Sequence, residues 1–538
     1  MGIFVNLHVS KSVTKEEWAS VYLESLEMIK KLPLAEWQEN KSIDGIKINC
    51  LVRTKEHEFS YDSNNKKEIG WEASGDYETL KIAECHFFPR ELVTEYNENA
   101  GDAILASLPQ CTNHDWEEEL CNQTYYIFGN KTQGEPYHMY LLAVCCMVES
   151  RLKDKAFVEG DITKGQLRKA VEIAKSILKT PIDIPARCEA NRLSERISKL
   201  NITEKEKLVL FNYLYLGNEN IELGDFIRDH FSKRVCCNYI KETLNEYPVD
   251  SIGFSEKLEE FLELGFDLRT ICSLINFQNN QKKDDDKDNN KNCYETFIRK
   301  VLDTKIYLKE KNTEDLLDID QDEERPYSIF TYFAQFVFAG AKNHKVNVYI
   351  PIEEVRKILK DELKGYSDTD KVIDNYLEEE KKKSPDEKDN SEMLTEMLSS
   401  KANEIEKSEK GFDIPRSDYL LFYSKENTIE TNLLKNMIDY FKFMETTLKE
   451  EKFTELMNQS SKDRCQFLVE QNRSLLIRDS DWRKIFKDIK TNEDSFKRYY
   501  PMVRVSITSD SVGDVVRALI INDDLYNFVY EYSHKDNK

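Results

Sequence analysis

Seventeen glycines and twelve prolines are all that punctuate 538 residues, and this scarcity constrains the fold most. Sandwiches and propellers need a turn roughly every 8–12 residues, built largely from those two residue types. A chain so poor in turn formers runs mainly in helices. Its 27 Phe, 27 Tyr and 5 Trp are too many for a disordered polymer. Apolar residues supply 40% and charged residues 33%, so the packed parts carry a large polar surface. The length calls for several domains.

Lys and Arg number 77 against 100 Asp and Glu, a formal charge of -23. A long phosphate-binding surface needs clustered positive charge, so this balance argues against general nucleic-acid binding. It suits a partner protein with a basic surface. The start, Met1-Gly2-Ile3-Phe4-Val5-Asn6, lacks the basic and apolar regions of an export signal, and Asn6 stands where a myristoylation motif needs Ser or Thr. No run of about 18 apolar residues occurs, so no membrane attachment is expected. The 12 cysteines include the adjacent pairs Cys145-Cys146 and Cys236-Cys237 but no CxxC and no paired zinc-ligand spacing. Reduced thiols in a cytoplasmic protein are expected, with no metal and no cofactor.

Local patterns divide the chain. Ile3, Val5, Leu7 and Val9 alternate with Phe4, Asn6 and His8 as in a strand. Thr14-Lys15-Glu16-Glu17 is a capping box, with Val13 and Trp18 placed as a hydrophobic staple for the helix that follows. Asp44-Gly45 is a hairpin turn leading into Ile46, Ile48, Cys50 and Val52 at period two. Asp76 is expected to cap a helix carrying Leu80, Ala83 and Phe87. Tyr137 to Leu152 is apolar on nearly every side and reads as a buried helix. Thr163-x-x-Gln166 and Thr203-x-x-Glu206 cap two more helices, the second closing at Gly217; Ser255 to Leu264 is closed by Gly265. This punctuation recurs without a fixed period, which leaves a solenoid of irregular helix pairs as one option.

Gln281 to Asn292 contains no apolar residue and Leu377 to Glu392 is nearly as polar, so both read as loops or linkers. Tyr327 to Phe338 is the most aromatic stretch, and periodicity does not decide between helix and strand there. Leu433, Leu434, Met437, Ile438, Phe441, Met444 and Leu448 form one helix stripe. Val503, Val505 and Ile507 alternate as in a strand, before a helix from Val512 to Ile521. The predicted class is α+β, predominantly α-helical. A small mixed α/β N-terminal domain (1–110) precedes a central helical domain (111–280), a polar linker (281–292), a helical segment (293–376), a charged linker (377–410) and a helical C-terminal domain (411–538) with an α/β ending.

GxSxG, GxxxxGK[ST] and GxGxxG are all missing from the sequence, and the pair His114-Asp115 reads as a loop histidine beside acidic residues. No catalytic residue is assigned. The glycine-flanked loop Gly129-Asn130-Lys131-Thr132-Gln133-Gly134 leads into the helix at His138, where free amides and Lys131 would hold a carboxylate or phosphate. Ligand-binding candidates there are Lys131, Gln133, His138, Glu149 and Asp161. His138 and Glu149 lie on one helix stripe but roughly 16 Å apart, so another element must stand between them. A second set, Arg483, Lys484, Lys497, Arg498 and Arg504, is interleaved with Trp482, Tyr499 and Tyr500, in composition a small anion-binding surface. A solvated helix face explains that set with fewer assumptions. The expected function is a cytoplasmic interaction component of immunity, defence or adaptor type, binding another protein through an acidic helical surface. The alternative is an enzyme acting on a phosphate-bearing or nucleotide-like substrate at residues 129–161.

Overall fold

A computed structural model describes residues 2–61, 66–92, 96–108, 123–217, 220–277, 293–309, 346–364, 366–382, 420–429, 431–472, 475–505 and 510–534. The fold is α+β and predominantly helical, with nineteen α-helices and eight strands among those residues. Gln281 to Asn292, Tyr327 to Phe338 and the pair His114-Asp115 lie outside the described residues, as do residues 383–419; Leu377 to Lys382, expected as the start of a loop, are instead the last turns of a helix that begins at Thr369.

Strand β1 (Val5–Ser10) is the middle of a three-stranded antiparallel sheet, flanked by β7 (Thr124–Phe128) and β8 (Ala156–Gly160). Its period-two pattern sends Val5, Leu7 and Val9 into one core and leaves Asn6 and His8 on the opposite face. Helix α1 (Lys15–Ile29) follows, and both bonds of its capping box form: Glu17 N–H to Thr14 Oγ1 at 3.2 Å and Thr14 N–H to Glu17 Oε2 at 2.8 Å.

A five-stranded sheet comes next. Its strands are β2 (Leu34–Ile43), β3 (Ile46–Arg53), β4 (His57–Tyr61), β5 (Lys66–Asp76) and β6 (Ile82–Pro89). Their order is β3-β2-β5-β4, with β6 also paired to β5. Asp44 and Gly45 both take positive φ, 51° and 79°, as a two-residue hairpin turn requires. The helix expected after Asp76 is a strand instead. The Asp76 carboxylate accepts the Glu78 and Thr79 amides, each at 2.7 Å, which tightens a turn rather than opening a helix. The chain then returns as β6, setting Trp71 opposite Phe88 and Ala73 opposite His86.

Helix α2 (Tyr137–Leu152) is buried along almost its whole length, as its all-round apolar character predicts. It packs against α1, β8 and α3 (Lys164–Ile177), and α3 carries the Thr163–Gln166 capping box. The core around α2 runs from Val5 to Cys188.

A helical arm follows: α4 (Ala190–Ser198), α5 (Glu204–Leu214), α6 (Ile221–His230), α7 (Lys233–Glu246), α8 (Ile252–Glu263), α9 (Leu268–Leu274), α10 (Cys293–Asp303), α11 (Ile352–Glu362) and α12 (Thr369–Lys382). Successive neighbours α5, α7, α9, α11, α12 and α10 pack side by side around one core, which Phe157 of β8 joins. Helix α5 stops at Leu214, short of Gly217, whereas Gly265 closes α8 at φ 70°. Helix α8 begins earlier than the sequence pattern implied, because Ser251 caps it by accepting the Phe254 amide.

The C-terminal block comprises α13 (Thr431–Glu445), α14 (Glu451–Met457), α15 (Ser461–Gln471), α16 (Asp479–Thr491), α17 (Ser495–Arg504), α18 (Asp510–Ile521) and α19 (Asp523–Ser533). Residues 502–504, expected as strand, close α17, because Phe496, Tyr499, Tyr500 and Met502 share its buried face. The core of this block takes in Ile43, Ile46, Ile48, Cys50 and Val52, so one face of the β2–β3 hairpin is sealed by the C-terminal helices.

Candidate functional sites

The structure gathers four of the five candidates from the 129–161 stretch around residues 3 and 4. The amides of Thr132 and Gln133 donate to Ile3 O at 2.8 and 3.2 Å, so they face the chain's own carbonyl rather than an anion. Asp161 accepts the Phe4 amide at 3.0 Å; burial pushes its carboxyl up and that amide draws it back down. Lys131 lays its stem against Gly2, lies 5.8 Å from the Phe4 ring and stands 3.9 Å from the Glu84 carboxylate. His138 is fully buried, with Nδ1 2.6 Å from Thr132 Oγ1, and burial pushes its pKa down to about 3. Nε2 of His138 and Oε1 of Gln133 are buried with no partner among the described residues.

Glu149 does not join them. At the far end of α2 it accepts the amides of Val158 at 2.9 Å and Ala186 at 2.8 Å, and meets Arg196 Nη1 at 3.5 Å. Arg196 in turn grips Asp102 through two bonds, at 3.0 and 2.6 Å, and donates to Ala156 O at 3.0 Å. This buried ionic network ties α4 and the 102–108 segment to β8 with its polar atoms satisfied.

Each member of the second candidate set meets a carboxylate. Arg483 stands 3.9 Å from Asp479, Lys497 is 2.6 Å from Asp494, and Arg504 is 3.1 Å from Glu450. Lys484 and Arg498 converge on Asp523 at the start of α19, at 2.7 and 2.6 Å. Burial alone would raise the Asp523 carboxyl; these two partners outweigh it and hold it below its usual range. Lys484, Arg498 and Arg504 therefore pin different helices of the C-terminal block together, whereas Arg483 and Lys497 pair within their own helices.

On the arm, α8 buries Phe254, Leu258, Phe261 and Leu262. The opposite face carries Glu256, Glu259, Glu260 and Glu263, all half-buried, at spacings of three and four that align them in one stripe. Lys257 is the one cation within that helix and is ion-paired to Glu260. The Glu263 carboxylate accepts the Asn347 amide. Exposed apolar side chains stand near the two ends of this helix. Ile252, one helix turn before Glu256, is 57% exposed; Ile221, whose methyls sit beside Gly265, is 49% exposed; Tyr349, two residues beyond Asn347, is 45% exposed.

Among the described residues no three His, Cys, Asp or Glu side chains gather closely enough to hold a metal ion, and no helix is long and apolar enough to cross a membrane. The chain matches no family model, no curated protein and no solved structure.

Proposed function

We propose that the chain is a cytoplasmic protein-interaction component, of immunity, defence or adaptor type, that binds a partner with a basic surface along α8. The observation that carries this reading is the carboxylate stripe Glu256–Glu259–Glu260–Glu263 with Ile221, Ile252 and Tyr349 exposed near the ends of that helix. Charge of one sign steers a complementary partner and sets register, while apolar side chains near its ends supply the area that water must leave. The net charge of -23 extends the same field over the molecule. Free thiols at every described cysteine suit a reducing compartment. The enzyme alternative has less support, because Lys131 and Asp161 engage Glu84 and the Phe4 amide, and Glu149 is spent on Val158 and Ala186.

The test is a random peptide library selected on the full chain and counter-selected on the quadruple variant Glu256→Gln, Glu259→Gln, Glu260→Gln, Glu263→Gln. Lys- and Arg-rich peptides should be enriched on the wild type, bind more weakly as salt rises, and lose at least about tenfold in affinity on the variant, the scale of one or more charge-assisted contacts. Enrichment of uncharged peptides, or equal binding by the variant, would overturn the proposal.

A further inference from the structure

Acidic residues outnumber basic ones by 100 to 77 along the chain, yet α3 reverses that balance. It carries Lys164, Arg168, Lys169 and Lys175, with Glu172 as its one acid. Leu167, Ala170, Val171 and Ala174 form its buried face, which packs on α2. Spacings of four and seven residues set Lys164, Arg168 and Lys175 in one stripe beside that face. Arg168, Lys169 and Lys175 are exposed, and Lys164 is half-buried.

The basic surface continues onto the end of α1. Lys31, just past that helix, donates to Ile177 O at 3.3 Å, which brings the ends of α1 and α3 together. Lys30 pairs with Glu27 at 2.7 Å. Lys30 above all, with Lys31 and Lys179 adding to it, holds the Glu27 carboxyl below its usual range. Three lysines thus gather on one exposed carboxylate, and the spot stays positive. Leu23, one turn before Glu27, is 63% exposed.

Such a surface attracts anions, and reach decides which kind. At an ionic strength of about 0.15 M a charge is screened beyond about 8 Å. A short acidic segment lying along α3 meets the lysines and little of the net charge of -23. A nucleic-acid strand would run past them onto acidic surface and be repelled. It would also find no ring to stack on, because Trp18 and Tyr22 of α1 are buried and α3 has no aromatic residue. Leu23 suits an apolar side chain instead. We infer that α3 and the end of α1 bind an acidic segment of another protein, with carboxylates on Lys164, Arg168 and Lys175 and an apolar side chain on Leu23. Helix α3 belongs to the N-terminal core and α8 to that of the arm, so the chain carries two partner surfaces of opposite charge on separate cores.

Fluorescence anisotropy with the full chain tests this, using a labelled alanine-based peptide that carries Glu at spacings of four and seven and a Leu near one end. The peptide should bind with a Kd below about 1 mM and dissociate as salt rises. The triple variant Arg168→Gln, Lys175→Gln, Lys179→Gln should lose about tenfold or more in affinity. The control Lys233→Gln, Lys371→Gln, Lys435→Gln, at exposed positions elsewhere and equal in net charge, should bind as the wild type does. Should the triple variant fail to fold, Leu23→Asp decides: that side chain faces water, so the melting temperature should hold while the added negative charge weakens binding by about threefold. No binding by the wild type, full affinity in the variant that folds, equal loss in the control, or tighter binding of an oligothymidylate of the same charge would overturn the inference. None of these results touches the α8 surface, whose test uses basic peptides.

Discussion

His138 shows how little a residue's type says of its task. A histidine at the start of a helix, behind a glycine-flanked loop, reads as a ligand; here it is fully buried, close to Thr132 Oγ1, and its pKa is lowered to about 3 by burial, with His86 adding a smaller push in the same direction. An unfolded histidine titrates near about 6.5. Below that pH the unfolded chain takes a proton that the native chain refuses, so the stability His138 contributes is whole above about pH 6.5 and falls toward pH 3, by up to about 1.4 kcal/mol per pH unit. Urea unfolding at pH 7, 6 and 5 should show a steeper loss for the wild type than for His138→Gln, by about one proton; equal slopes would place His138 in water. Lys131, Gln133 and Asp161 were identifiable from the sequence as a polar constellation, and they do lie together around residues 3 and 4. Their bonding to the chain's own N-terminal backbone was not readable, because nothing local reports which distant strand end arrives there. The meeting of His8 Nε2 and Glu159 Oε2 at 3.3 Å escaped for the same reason: strand pairing unites them, and no spacing in the sequence encodes it.

Elements whose signals are local were the readable ones. The capping boxes at Thr14, Thr163 and Thr203 and the turn at Asp44-Gly45 form as their sequences dictate, since every group involved lies within four residues. Two failures have equally local causes. Asp76 can cap a helix or an Asx-type turn with the same oxygen, and pairing of residues 82–89 with β5 selects the turn. The alternation of Val503 and Val505 imitates a strand, yet the larger aromatic stripe Phe496–Tyr499–Tyr500 decides for helix. Helix α2 is the element on which most of the N-terminal core rests. Leu142 lies in its middle with no exposed surface, so Leu142→Asp would bury a charge without a partner, at a cost of several kcal/mol, comparable to a whole stability margin. The variant should fail to accumulate in the soluble fraction; normal yield with an unchanged melting curve would mean that the helix faces solvent.

At the scale of the molecule, the end of the chain packs on its beginning. Ile46, Ile48, Cys50 and Val52 of the first hairpin share a core with Trp482, Phe486 and Ile489 of α16. At its margin Lys490 meets Asp44 at 2.6 Å, and the Tyr77 hydroxyl donates to Asp479 at 3.1 Å. Ile48→Asp should therefore loosen the C-terminal block by about 2–5 kcal/mol, the range for losing a large core side chain or burying an unpaired charge. Limited proteolysis should release a C-terminal fragment from the variant and not from the wild type; resistance in both would show that the hairpin face is dispensable. The arm stands apart from this closure with its own core, and its α8 stripe is the surface assigned to a partner. The most direct measurement compares proteins captured from a cell extract by three forms of the full chain: the wild type, the α8 quadruple Gln variant, and a control with Gln at the exposed Glu16, Glu39, Glu98 and Glu426, which carries the same net charge. The wild type and the control should retain the same basic protein, quantified by mass spectrometry, and the α8 variant should lose it. Equal capture by all three forms, or equal loss from both variants, would contradict a partner site on α8.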